Sequence, residues 1–449
     1  MKRPLKILLV IVLLLVVAWV IYVVAQRPTP PVSGPIVLQD GSWVRIEAVT
    51  YGTNHLVGPR LAYVADRMPQ SIRTLMVRFL GRPAAMRFSH TTSSPKLVLW
   101  LNRGISATPF PTNTGYFECV LSDTNGFTCG DAVPFAARYP LTVTEFDVFP
   151  RREAEIILSI YFHDATGAVF KRGSTAFATP LYRRYPEWKP EPLPVTKRAG
   201  DVEVTLEKLS TGHSDRSEYK PRLEGGKEIV LGTNRLDGGN MSVAALRLKP
   251  LMDTNEVWDA VNMFTSDATG NRIHSATRSH YANGFITWSP ALWPGETWKL
   301  ELELKRRAGF KPEELVTFRD VPLGALNATN RVGWTTNCNG VSVTVEYLIR
   351  GGWRSVTMDL PSQIHLRLSG LTNDMHLDLL SARTDMGANF TSSSHNISTD
   401  SRTYFFRDIP TDATTADFTF AVQRSRSVEF LVKPETGTLR LEVAPKIKP

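Results

Sequence analysis

Cysteine is scarce: three in 449 residues are too few to staple the chain as a disulfide scaffold. Long basic runs are also missing. The formal net charge is +9, of which Lys2, Arg3 and Lys6 supply three at the N-terminus. The remaining surplus is mild and scattered, so no nucleic-acid partner is expected. Neither G-x-x-x-x-G-K-S/T nor G-x-G-x-x-G occurs, which leaves the nucleotide folds without a signature. The serine elbow G-x-S-x-G is missing too. Nine histidines form no His-Glu-x-x-His pattern, and neither His274 with His280 nor His365 with His376 has helical i, i+4 spacing. Motifs therefore nominate no catalytic residue, no cofactor and no metal site. Only one long apolar run exists, which excludes a multi-span transporter.

That run is Ile7 to Ala25, 19 apolar residues with Trp19 and Tyr22 toward its outer end. As a helix it reaches about 28 Å, close to the ~30 Å hydrocarbon core. Lys2, Arg3 and Lys6 precede it and Arg27 alone follows closely, so the positive-inside bias places the N-terminus in the cytoplasm and the bulk outside. The rival reading is a signal peptide cleaved near Val23-Val24-Ala25, against which stands the length of the run. Both readings export the rest of the chain. Prolines at 28, 30, 31 and 35 then make a short, extended stalk.

A nine-residue pattern recurs three times: Val44–Gly52, Val204–Gly212 and Val343–Gly351, each Val-x-apolar-Glu-x-apolar-x-x-Gly. Each follows a glycine (Gly41, Gly200, Gly340), and the spacings of 160 and 139 residues are domain-sized. Alternation with β-branched residues makes each copy a strand, read as the first strand of three related domains. Leu246-Arg247-Leu248 matches Leu366-Arg367-Leu368 in the same sense. Clustered prolines from Pro186 to Pro194 mark one boundary, and the Asn/Thr-rich stretch from Pro322 to Asn339 a weaker one. Asp-x-x-Gly turns at Asp123, Asp164 and Asp267 join strand-like runs. One amphipathic helix is expected from Pro69 to Gly81, with Ile72, Leu75, Met76, Phe79 and Leu80 on one face. It either packs over a sheet edge or lies on anionic lipid.

The expected fold is all-β: three tandem β-sandwiches of immunoglobulin or fibronectin-III kind after one transmembrane helix. The expected boundaries are 1–26 for tail and anchor, 27–36 for the stalk, and 37–185, 197–325 and 335–449 for the sandwiches. Cys119 and Cys129 flank a turn and would form a disulfide if the hairpin were centred on Thr124; otherwise they are two reduced thiols. Cys338 has no sequence partner. Trp288, Trp293 and Trp298, five apart, either fill a core or form a ligand surface for sugars. Glu47, Glu207 and Glu346 sit at equivalent strand positions in separate domains, too far apart for paired-carboxylate chemistry, and are expected to pair with nearby basic residues. The expected role is non-enzymatic binding, scaffolding or adhesion at the cell envelope, with the membrane and envelope proteins or glycans as partners. One alternative is glycan binding through Trp288–Trp298; another is a hydrolase whose site is assembled from separate loops.

Overall fold

The segment Trp298–Ala308 alternates apolar and charged residues, and it forms a strand with Trp298, Leu300, Leu302 and Leu304 buried. The same period-2 pattern shapes most of the chain. The computed structural model describes most of residues 32–440; outside it lie 1–31, 38–42, 59–87, 105–114, 214–229, 232–239, 275–283 and 441–449, with breaks of one to four residues elsewhere. The apolar run at 7–25, the helix expected at 69–81 and the turn after Asp164 therefore lie outside the described residues. Among the described residues no helix is long and apolar enough to cross a membrane. Their one helical piece is the single 3-10 turn Pro312–Glu314, so the described residues are nearly all β.

Three units each place two sheets around an apolar interior. In the first unit, Ile36–Val37, Trp43–Val57, Phe88–Gly104, Leu141–Phe146 and Phe135–Arg138 form one sheet in that spatial order. Thr128–Ala132, Gly115–Ser122, Glu155–Asp164 and Val169–Ala178 form the other. The middle unit pairs Val195–Ala199, Val202–His213, Asn240–Pro250 and Phe285–Trp288 in one sheet; its second holds Arg272–His274, Val257–Asp267, Trp298–Ala308 and Arg426–Val432. In the third unit, a sheet centred on Ser362–Ser369 faces one built from Leu315–Pro322, Thr415–Arg424 and Met375–Thr384. The first and middle units share one continuous core, and the third has its own.

The ladders depart from the expected boundaries. Leu315–Pro322 pairs with Thr415–Arg424, and Arg426–Val432 returns to pair along Trp298–Leu304. The third unit is thus inserted into the middle one, between Ala308 and Arg426. The polar stretch expected as a linker contains Thr329–Cys338, an edge strand whose exposure accounts for its Asn and Thr content. Its turn to the next strand is Asn339-Gly340, both at positive φ (51° and 79°), the tight hairpin geometry that Asn-Gly favours.

The three repeats occupy equivalent strands and share one irregularity. Opposite the following strand, the register jumps from Ile46 to Ala48, from Leu206 to Lys208 and from Val345 to Tyr347. Glu47, Glu207 and Glu346 are therefore the extra residue of a β-bulge in each unit. Each meets a side chain one residue beyond the leucine that closes the bulge. Asn102 Nδ2 donates to Glu47 Oε1 at 2.8 Å, Arg247 pairs with Glu207 at 3.3 Å, and Arg367 pairs with Glu346 at 3.1 Å.

Two strand passages connect the middle and inserted units: Trp298–Ala308 leads on to Leu315–Pro322, and Thr415–Arg424 passes through Ser425 into Arg426–Val432. The buried Gln423 amide accepts from Arg306 N at 2.9 Å and donates to Arg306 O at 2.9 Å. Lys305 pairs with Asp378 at 2.6 Å, and His376 Nε2 bonds Glu303 at 2.7 Å.

Candidate functional site

A cleft of about 600 Å³ lies where the first and middle units meet. Two Asp-x-x-Gly turns form its floor. In the first, Asp123 Oδ1 accepts from the backbone N–H of Asn125 (3.0 Å) and Phe127 (2.7 Å). In the second, Asp267 Oδ1 accepts from the N–H of Thr269 (2.9 Å) and Asn271 (3.1 Å). Short acidic side chains at this position close the turn on themselves, which is why the sequence folds so locally. Both aspartates are buried, at 4% and 2% exposure.

Each turn then reaches across the joint. Asp123 Oδ2 accepts from Trp293 Nε1 at 3.1 Å. The Asn271 amide accepts from Phe149 N (3.3 Å) and donates to Phe149 O (3.0 Å), much as a neighbouring strand would. Arg151 is buried; it donates to Thr269 O (3.0 Å) and Tyr51 Oη (2.9 Å) and lies against the Tyr51 and Phe149 rings. Gly270, at φ 92°, leaves room for it, since a Cβ there would stand 3.0 Å from the Arg151 guanidinium. Arg152 forms a two-pronged pair with Glu296 and donates to the carbonyls of Tyr185 (3.0 Å) and Pro186 (2.7 Å). Its bonded Glu296 partner holds the Arg152 guanidinium above its usual range. The proline-rich segment between the units is thereby clamped along the cleft.

Trp288 and Trp298 are core residues, and Trp293 lines the cleft. Trp288 and Trp298 are 1% and 0% exposed and meet edge to face across the middle core at 6.4 Å. Trp293 packs edge-on against Phe127 at 5.6 Å and closes the joint; only its margin reaches the cleft. Of the two readings, core filling and ligand surface, Trp288 and Trp298 take the first, which corrects the ligand-surface alternative for these two rings.

The expected Cys119–Cys129 disulfide is also corrected, because Cys119 is a free, buried thiol. Ser122 pairs with Thr128, which centres the hairpin on Asn125 rather than Thr124, and a bulge then sets Ala132 opposite Cys119. Burial pushes the Cys119 thiol up to about 12. Cys338, also free, donates its thiol to Glu313 O and is raised by burial. Among the described residues no group of three His, Cys, Asp or Glu side chains is placed to hold a metal ion. Sequence reasoning noticed both Asp-x-x-Gly turns but not that they converge, nor the roles of Arg151 and Asn271. Repetition of the turn was the available signal; the pairing of Trp293 with Asp123 spans 170 residues. In comparison with known proteins, the chain matches no family model and no curated protein.

Proposed function

We propose that this protein is a non-enzymatic binding scaffold, held at the cell envelope by one N-terminal membrane helix and exposing sandwiches of immunoglobulin or fibronectin-III kind outside the cytoplasm. The observation that carries the proposal is the construction of the two joints. In each, one buried amide, Asn271 or Gln423, bonds both the N–H and the C=O of a residue in the neighbouring unit, Phe149 or Arg306. Salt bridges add to both joints. Couplings of this kind fix the spacing of loops and edge strands, which suits simultaneous contact with a large partner.

In-cell cross-linking of the tagged full-length chain, followed by mass spectrometry, tests this reading. Reproducible capture of one envelope protein on loops of the units is the expected result. Recovery of the chain alone, or of its own copies only, overturns it. Retention in the alkali-washed membrane fraction with residues 1–26 still attached tests the anchor; release into the soluble fraction overturns that part.

A further inference from the structure

We propose that the cleft between the first and middle units binds a short oligosaccharide; this rests on the binding-scaffold reading above and names a ligand class for it. The cleft volume of about 600 Å³ falls within the range of small-molecule sites, and junctions between domains are where such sites form. Its walls are preorganised: both turns, the Arg152–Glu296 pair and the bond from Thr297 Oγ1 to the Trp188 carbonyl (2.8 Å) fix them before any ligand arrives.

The polar groups divide into two sets. Those of the floor, Asp123, Asp267 and Asn271, are bonded within the joint. Those of the rim make no such bonds, although Glu187 acts through space on Arg152. The side chains of Asn125, Glu187 and Lys433 and the indole N–H of Trp188 line the cleft and have no hydrogen-bond partner among the described residues. With Glu153, which also lines the cleft and takes only a 3.4 Å bond from Thr124 Oγ1, the rim set is one amide, two carboxylates, one ammonium and one indole: donors and acceptors together, with carboxylates in slight excess. An anionic ligand would meet Glu153, Glu187 and the two buried aspartates, and a cationic one Arg151, Arg152 and Lys433. A lipid chain would need a continuous apolar lining, whereas here Phe127, Trp188, Trp293, Pro150, Pro190 and Pro294 are interrupted by charged and polar groups. A sugar ring fits this surface. Its C–H face lies against an aromatic ring, while its hydroxyls each donate and accept.

Calorimetric titration of the full chain, in a detergent without a sugar headgroup, with chitotriose, cellotriose and maltotriose tests the assignment. At least one should bind with a Kd of about 10 μM to 1 mM. Trp188→Ala and Lys433→Ala should each weaken it about tenfold or more with an unchanged melting temperature. The bond from Thr297 goes to the Trp188 backbone and survives the substitution. No binding by any of the three sugars, or binding that neither variant weakens, overturns the proposal. A captured protein partner whose cross-links map to the cleft overturns it as well. If the sugars fail while a partner is captured on other loops, the saccharide site falls and the scaffold stands; if no partner is captured either, both fall.

Discussion

Trp288 and Trp298 share one core but differ by one hydrogen bond. Trp298 Nε1 donates to Trp293 O at 2.7 Å, whereas Trp288 Nε1 is buried with no acceptor among the described residues. Replacing either by Phe leaves a similar void, so the bond decides the difference. Trp298→Phe is expected to be less stable than Trp288→Phe by about 1–2 kcal/mol in urea unfolding. Asp123→Ala leaves the Trp293 indole and two turn N–H groups unpaired in a buried joint. It should cost about 2–4 kcal/mol, read from thermal unfolding with tryptophan fluorescence. At this scale the sequence was partly legible. The three-fold repeat could be read as a strand, yet the five-residue spacing of the tryptophans fitted core and surface alike. What separates the two is Phe127 and Asp123, supplied by another unit.

The bulge glutamates were legible as a repeated letter and as structural residues, but not as bulges. A bulge is a relation between two strands, visible only once Ile46 and Ala48 face Leu101 and Trp100. The joint between the middle and inserted units has a pH-dependent element. The bond from His376 holds the Glu303 carboxyl down to about 2, against an ordinary 4.5. A depressed carboxylate stabilises the folded form while ionised, so its contribution is complete above about pH 4.5 and is lost as the pH falls toward 2. The wild type should lose roughly 1–2 kcal/mol across that window, an amount discounted for partial solvent exposure, and Glu303→Gln should lose less. Denaturant midpoints measured every half pH unit check this. Gln423→Ala leaves Arg306 N–H and C=O unpaired and should cost about 2–4 kcal/mol, with new protease cleavage between the two units.

For the whole molecule, composition and alternation read correctly as all-β, and the internal repeat pointed to related units. The insertion was not legible, because hydrophobic period does not say which neighbour a strand joins. Arg426–Val432 looks like any other strand until its partner Trp298–Leu304 is known. Two truncations separate the insertion from a linear arrangement. Ending the chain after Arg424 should unfold the middle unit, which loses an edge strand and the buried Phe430. Excising residues 309–425 and joining the ends by a short Gly/Ser loop should leave it folded, since the strands bridged are antiparallel neighbours. Far-UV circular dichroism melts and trypsin resistance distinguish the two outcomes.

The insertion also sets a timetable for folding. A chain emerging from its N-terminus delivers most of the middle unit early, but that unit cannot close until residue 432 has appeared. Through the synthesis of more than a hundred further residues, the backbone of Trp298–Ala308 is an open edge with Leu300, Leu302 and Leu304 uncovered. An open edge of this kind invites pairing with the wrong strand. The inserted unit can complete its own core during that interval, which brings Arg424 back beside the waiting edge just before the closing strand arrives.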